Sequence, residues 1–180
     1  MSLVFGQVTQ NAYVTRDIRK AMDFLVRAGV GPWFLTENRV IPNVNYRGKI
    51  TDIRFTVALA NSGFIQFELI QPDPDHPSLY NEFLERYKGE FLLQHMSSWP
   101  EDYDRARADG LARGFESVLE GDTETGRFIY FQHPERPEFT FEMAHMTPER
   151  KYMFGEIARA NREWDGSNPI RIGRPNMPGQ

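Results

Sequence analysis

Two parts of the chain repeat each other, and this repeat is the strongest constraint on its fold. Residues 10–29, QNAYVTRDIRKAMDFLVRAG, align without a gap on residues 95–114, HMSSWPEDYDRARADGLARG. The segment IQFELI at 65–70 likewise aligns on FTFEMA at 139–144, with a glutamate at the same place in both. Because duplicated segments adopt the same local structure, the repeat predicts two copies of one structural unit.

The pattern of apolar and turn residues gives the order of elements in each copy. A β-branched and aromatic run precedes a segment with apolar residues at helical spacing, and three extended segments separated by turn residues follow. We therefore predict an α+β protein with two tandem β-α-β-β-β modules, at residues 7–72 and 91–146, which together form a single domain within residues 1–146.

Two further segments lie outside the repeat. A short linker helix is predicted within residues 73–90, with Ser78 capping its start and Gly89 its end. In the C-terminal part, residues 147–180, Thr147 and Pro148 mark the start of a helix. The Gly-, Pro- and Asn-rich remainder is expected to run irregularly over the surface, where it could cover a groove or a partner subunit.

Composition excludes several classes of function. Apolar residues make up 40% of the chain, enough for a packed interior, and the net charge of −4 offers no basic surface for a nucleic acid. There is no cysteine, so disulfides and thiolate ligands are excluded. We expect a cytoplasmic protein with neither a nucleic-acid nor a membrane partner.

Four polar residues occupy matched positions in the two copies. Strand alternation places Glu68 and Glu142 on the face opposite the apolar stripes of their strands, and Gln10 matches His95 in the first strands. Two carboxylates in a partly desolvated cavity are costly unless a cation offsets them. One nitrogen and three oxygen ligands suit one divalent ion such as zinc, nickel, cobalt or manganese, and they would leave positions open for a substrate.

Each of these residues also has an ordinary interpretation. Glu68 alone could be a half-exposed strand residue, His95 a structural imidazole, and Gln10 a hydrogen-bonding group only. Three arginines could meet an anionic substrate or lie on the surface: Arg47, Arg54 and Arg127. Four aromatic residues could line an apolar cavity: Trp33, Phe34, Tyr46 and Trp99.

The sequence resembles the vicinal oxygen chelate superfamily, which includes glyoxalase I, methylmalonyl-CoA epimerase, extradiol dioxygenases and bleomycin resistance proteins. The segments that carry the resemblance are QNAYVTRDIRKAMDF, IQFELIQP, QHMSSWPEDYDRA and TFEMAH, within residues 7–146. The resemblance implies curved, mixed half-barrel sheets around a metal, with ligands from the first and fourth strand of each module. By position these are Gln10, Glu68, His95 and Glu142, a combination most like that of glyoxalase I.

The resemblance also implies a reaction. Glyoxalase I and the epimerase transfer a proton at a carbon next to a carbonyl, through an enediolate or enolate stabilised by the metal. This implies a lyase or isomerase acting on a small carbonyl metabolite or its thiol or CoA adduct, with Glu142 as the catalytic base and Glu68 as its counterpart. A homodimer is also implied, and the site could lie within one chain or across a swapped dimer.

Two other functions are open at this point. The alternative is a non-catalytic binding protein of the bleomycin-resistance type, in which the four polar residues only line a cleft. An oxygen-using iron enzyme is disfavoured by the ligand types, because such enzymes use two histidines and one carboxylate.

Overall fold

The computed structural model describes residues 2–178. Within this range the strands are β1 (Val8–Thr15), β2 (Trp33–Tyr46), β3 (Lys49–Ser62), β4 (Ile65–Pro72), β5 (Phe91–Ser98), β6 (Glu116–Thr123), β7 (Gly126–His133), β8 (Arg136–Ala144) and β9 (Ile170–Ile172). The helices are α1 (Ile18–Arg27), α2 (Leu79–Tyr87), α3 (Tyr103–Ala112) and α4 (Pro148–Arg162). None of these helices has the length and apolar character that a membrane span requires.

The strands form one mixed sheet that closes on itself. Its order is β3-β4-β1-β5-β8-β7-β6-β2, and the pairing of β2 with β3 closes an eight-stranded barrel. The pairs β1–β4 and β5–β8 are parallel, while the other barrel pairs are antiparallel. The predicted α+β class is confirmed, and the strands of both predicted half-barrel modules belong to this single barrel.

Alternation along the strands separates an inner core from two outer ones. On β4, Ile70 joins an inner cluster with Val14 and Phe128, whereas Leu69 packs on the outside beneath α1. The second outer core lies beneath α3, where Phe141 packs with Tyr103. The glutamates of β4 and β8 therefore lie on the face that points into the barrel.

Helices α2 and α4 cover opposite openings of the barrel. Helix α2 follows the C-terminal end of β4, and α4 follows the C-terminal end of β8. Strand β4 is parallel to β1, β8 is parallel to β5, and β1 is antiparallel to β5. The C-terminal ends of β4 and β8 therefore lie at opposite ends of the barrel. Apolar residues of both helices, among them Leu84 of α2 and Ile157 of α4, join the inner cluster. The C-terminal helix is thus part of the barrel core.

The structure corrects two details of the prediction. The residue that ends α2 in the left-handed conformation is Lys88, with φ of 50°, and not Gly89. The predicted irregular tail contains β9, which pairs in parallel with β2 through Trp33–Ile170 and Leu35–Ile172. The predicted helix caps Ser78 and Thr147 are confirmed, since each side chain accepts a hydrogen bond from a backbone N–H three residues later.

Packing of α4 against the barrel predicts a large effect of one substitution. Ile157 is fully buried in the inner cluster, so Ile157→Ala should lower the free energy of unfolding by about 2–5 kcal/mol. Lys151→Ala, on the exposed face of the same helix, is the control and should change it by less than about 0.5 kcal/mol. Urea unfolding followed by circular dichroism measures both, and equal effects would contradict this packing.

Candidate metal centre and its cavity

Three of the four predicted ligands meet inside the barrel of a single chain. Glu68, His95 and Glu142 lie on β4, β5 and β8, and their ligand atoms are within 4.8 Å of one another. His95 Nε2 is 3.6 Å from Glu68 Oε2 and 3.5 Å from Glu142 Oε2. Ala12 of β1 pairs with Glu68 on one side and His95 on the other, and its small side chain leaves room for these two to approach.

A bulge in β5 orients the imidazole. The pairing with β1 steps from Ala12–His95 to Tyr13–Leu93, which leaves Gln94 as the extra residue. Gln94 Oε1 lies 2.6 Å from His95 Nδ1, and this contact directs Nε2 toward Glu68 and Glu142. His95 Nε2 is fully buried and has no hydrogen-bond partner within residues 2–178. In this orientation Nε2 is placed to join the two carboxylates as a ligand of one cation.

The donor set fits a divalent metal ion. Ligand atoms on a tetrahedral zinc ion, at roughly 2.0–2.2 Å from the metal, are about 3.4 Å apart. The two distances from His95 Nε2, 3.5 and 3.6 Å, are close to that spacing. Imidazole and carboxylate ligands suit the borderline ions zinc, nickel, cobalt and manganese.

The fourth predicted ligand, Gln10, lies in the same cavity. Its side chain is buried, and its Nε2 donates a hydrogen bond of 2.8 Å to Gln66 Oε1. This bond fixes the orientation of the Gln10 amide in the cavity. Gln10 is therefore positioned as a hydrogen-bonding residue, and its role as a ligand stays a prediction.

The two carboxyl groups are electrostatically different. Burial, together with the charge of Glu142, raises the pKa of Glu68 from its ordinary value of 4.5 to about 8, although Arg39 and Arg150 oppose this. Burial alone would also raise the pKa of Glu142, but its contact with His95 holds that pKa below the ordinary value. Without a metal ion, Glu68 thus keeps its proton at neutral pH and Glu142 is ionised.

The cluster faces a cavity of about 100 Å³, several times the space that one water molecule needs. Aromatic side chains from the barrel strands, from the residue after β5 and from helices α2 and α4 form much of its wall: Phe34, Phe55, Tyr80, Trp99, Phe128, Tyr130 and Phe154. Of the predicted aromatic residues, Phe34 and Trp99 line this cavity, whereas Trp33 lies in the outer core beneath α1. Tyr130 packs edge-on against the His95 ring at 4.8 Å and limits its rotation.

The arginines of the cavity are not those that the sequence indicated. Arg47 pairs with Glu82 at 3.0 Å and Arg127 with Asp104 at 2.8 Å, both away from the cavity, and Arg54 lines a separate surface depression. The cavity contains three others: Arg39 of β2, Arg150 of α4 and Arg174 of the tail. Arg150 donates hydrogen bonds to the backbone carbonyls of Gly126, Arg127 and His145, so it anchors α4 to the barrel.

A bulge in β2 explains why simple alternation does not identify Arg39. Phe34 and Thr36 line the cavity, so strict alternation would direct Arg39 outward. The pairing with β3 steps from Thr36–Val57 to Arg39–Phe55, and Asn38 adopts φ of 52°. The extra residue reverses the alternation and turns Arg39 into the barrel. The signal in the sequence is only an asparagine, which tolerates this conformation better than most residues.

Comparison with known proteins identifies the family. The model of the Glyoxalase/Bleomycin resistance protein/Dioxygenase superfamily matches residues 9–131. The chain belongs to this superfamily. The predicted membership of the vicinal oxygen chelate superfamily is therefore confirmed. A search among curated proteins finds no sequence match.

Solved structures show that the fold is shared. Methylmalonyl-CoA epimerase from Mycobacterium tuberculosis aligns with a TM-score of 0.57 at 16% identity, over 82% of this chain and 93% of the epimerase. A variant of the Streptomyces coelicolor methylmalonyl-CoA epimerase, in complex with 2-nitronate-propionyl-CoA, aligns with a TM-score of 0.55 at 16% identity, over 80% and 96% of the two chains. These similarities establish a common superfamily fold.

The raised pKa of Glu68 predicts how stability depends on pH in metal-free protein. Between pH 4.5 and about 8 the folded protein retains a proton on Glu68 that the unfolded chain releases, so stability falls as the pH rises through this window. The maximum slope from one such group is about 1.4 kcal/mol per pH unit. Urea unfolding with a chelator from pH 5 to 8 should show this fall in the wild type.

Two variants test the origin of the slope. Glu68→Gln, which cannot ionise, should flatten the pH dependence, whereas Glu85→Gln, on an exposed position of α2, should leave it unchanged. A Glu68→Gln protein with the wild-type slope would show that the fall arises from other groups.

Proposed function

We propose that the protein is a metal-dependent lyase or isomerase that transfers a proton at the carbon next to a carbonyl of a small metabolite or its thiol or CoA adduct. The observation that carries this proposal is the buried His95 Nε2, which has no hydrogen-bond partner within residues 2–178 and lies between the carboxylates of Glu68 and Glu142. Both carboxylates line a cavity whose wall is mainly apolar. Such a cluster offers one nitrogen and two carboxylates to a divalent cation, and the adjoining cavity offers space for a substrate.

Glu68, His95 and Glu142 would hold the ion, with Gln10 as a fourth ligand or a hydrogen-bonding neighbour. A divalent ion bound there would polarise the substrate carbonyl and stabilise the negative charge that develops on its oxygen. Gln94 holds the His95 ring in the orientation in which Nε2 faces the carboxylates. Helix α4 limits the access of water from one end of the barrel, because Met153 and Phe154 form part of the cavity wall.

We assign the proton transfer to Glu142, with Glu68 as its counterpart. Both carboxylates project into the cavity from fourth strands of the sequence repeat, at nearly equal distances from His95. A carboxylate in this position can remove a proton from the carbon beside the carbonyl and return it, to the same carbon or its neighbour. A positioned general base of this kind contributes about 10²–10⁴-fold to the rate.

The comparisons support this proposal at the level of the family. The superfamily includes lyases and isomerases, and the aligned structures are named as epimerases. A second candidate is a non-catalytic binding protein of the bleomycin-resistance type. The predominantly aromatic and aliphatic wall of the cavity favours it, because such a wall can retain an apolar ligand without any chemistry.

Metal binding distinguishes these two functions. The wild type, purified without chelator and supplied with zinc, nickel or cobalt, should bind one ion per chain in elemental analysis. The double variant Glu68→Ala, Glu142→Ala should lose the ion, as should His95→Ala, because each removes donor atoms. His76→Ala is the matched control, since His76 lies in the loop before α2 and pairs with Asp73. A wild type that binds none of these ions would contradict the metal-dependent function.

Deuterium exchange tests the reaction class without a known substrate. Metal-loaded wild type in D2O should accelerate exchange next to the carbonyl of at least one of 2-oxobutyrate, hydroxyacetone and S-propionyl-N-acetylcysteamine, as measured by proton NMR. Glu142→Gln should reduce that rate by about 10²-fold or more, while Glu85→Gln should retain it.

Three outcomes separate the assignments. Full exchange and unchanged metal affinity in Glu142→Gln would contradict its role as the base. If Glu68→Gln alone abolished exchange, the base would be Glu68. If metal-loaded wild type exchanged none of the three compounds, the binding-protein function would be favoured.

A further inference from the structure

Two arginines in the cavity share a single carboxylate as their ion-pair partner. The side chains of Arg39 and Arg174 are only 13% and 26% exposed. In each, Nη2 is 3.7 Å from the same oxygen, Oε2 of Glu124, whose own side chain is 80% exposed. Within residues 2–178 neither guanidinium group donates a hydrogen bond that meets ordinary distance limits. Together the two guanidinium groups have ten N–H donors. Their shared acceptor is the solvent-exposed carboxylate of Glu124.

Three other arginines on or beside the barrel have close hydrogen-bond partners. Arg107 forms a bidentate pair with Glu120 at 2.7 and 2.9 Å, and Arg127 forms one with Asp104. Arg150, in the same cavity, is satisfied by three backbone carbonyls. Burial lowers the pKa of Arg39, and burial together with the charge of Arg39 lowers that of Arg174. The cost of these two buried charges is thus only partly offset.

The charges of the cavity do not balance once the metal centre is filled. Its charged lining consists of the three arginines, Glu68 and Glu142. A divalent ion offsets the two carboxylates and leaves the three guanidinium groups with only the exposed Glu124 beside them. Of these, Arg150 is held by backbone carbonyls, so Arg39 and Arg174 remain for a ligand.

We infer that Arg39 and Arg174 form an anion subsite that binds a carboxylate of the substrate. The planar guanidinium fork matches the two oxygens of a carboxylate in bidentate geometry. This inference rests on the proposed function, in which the carbonyl at the other end of the substrate would face Glu68, His95 and Glu142. The substrate class is then a small carbonyl compound that also carries a carboxylate.

The tail supplies half of this subsite. Arg174 follows β9, which pairs with the start of β2, while Arg39 lies in β2 beyond the bulge. The β9 pairing thus fixes the chain that carries Arg174 next to the strand that carries Arg39. This gives the C-terminal segment a role in substrate specificity.

Binding of a matched pair of probes tests the subsite. Pentanoate and pentanamide have the same shape, but only pentanoate carries a negative charge. Calorimetric titration of the wild type should show that pentanoate binds at least tenfold more tightly than pentanamide. Arg39→Gln and Arg174→Gln should each weaken pentanoate binding by at least tenfold and leave pentanamide unchanged. Arg105→Gln removes the same charge from an exposed position on α3 and should have no effect.

The titrations are made with metal-free and with zinc-loaded protein. The anion subsite and the metal-dependent function can then be contradicted independently of each other. Equal binding of both probes, or wild-type pentanoate affinity in Arg174→Gln, would overturn the anion subsite even if zinc binds. Failure to bind zinc, with arginine-dependent binding of pentanoate in metal-free protein, would overturn the metal-dependent function alone. Tighter binding of pentylphosphonate than of pentanoate would overturn the assignment to a carboxylate. Circular dichroism of each variant verifies its folding, and Arg174, in the tail, provides a test if Arg39→Gln does not fold.

Discussion

The pairing of β2 with both β3 and β6 is the interaction on which the rest of the structure depends. It joins the two ends of an otherwise open sheet, and so the eight strands enclose an interior. A barrel of eight strands is just wide enough to be filled by side chains or to hold one small ligand. Every polar group that strand alternation directs inward is then removed from bulk water and must find a partner inside.

This enclosure sets the electrostatics of the site. Glu68, Glu142 and His95 share the interior with Arg39 and Arg174, where each uncompensated charge carries a desolvation cost. The two carboxylates favour a cation, whereas the two arginines favour an anion. The proposed metal ion and anionic carbonyl substrate would satisfy both groups at once.

The C-terminal segment covers one opening of the barrel and forms part of the cavity wall. Helix α4 inserts Met153 and Ile157 into the inner cluster, and Arg150 bonds it to the ends of β7 and β8. The same segment continues to β9 and brings Arg174 to the cavity. This part of the chain therefore contributes both to the core of the barrel and to the wall of the cavity.

The sequence by itself determined the α+β class, the superfamily and the inward faces of β4 and β8. The internal repeat and the alternation of period two can both be seen directly in the order of the residues. It also indicated Glu68, His95 and Glu142 as a group. Only the tertiary structure decided that the barrel closes within one chain, that Arg39 turns inward and that Arg174 joins it. These features depend on a bulge at Asn38 and on pairing between distant strands, and such long-range contacts leave no periodic signal in the residues that make them.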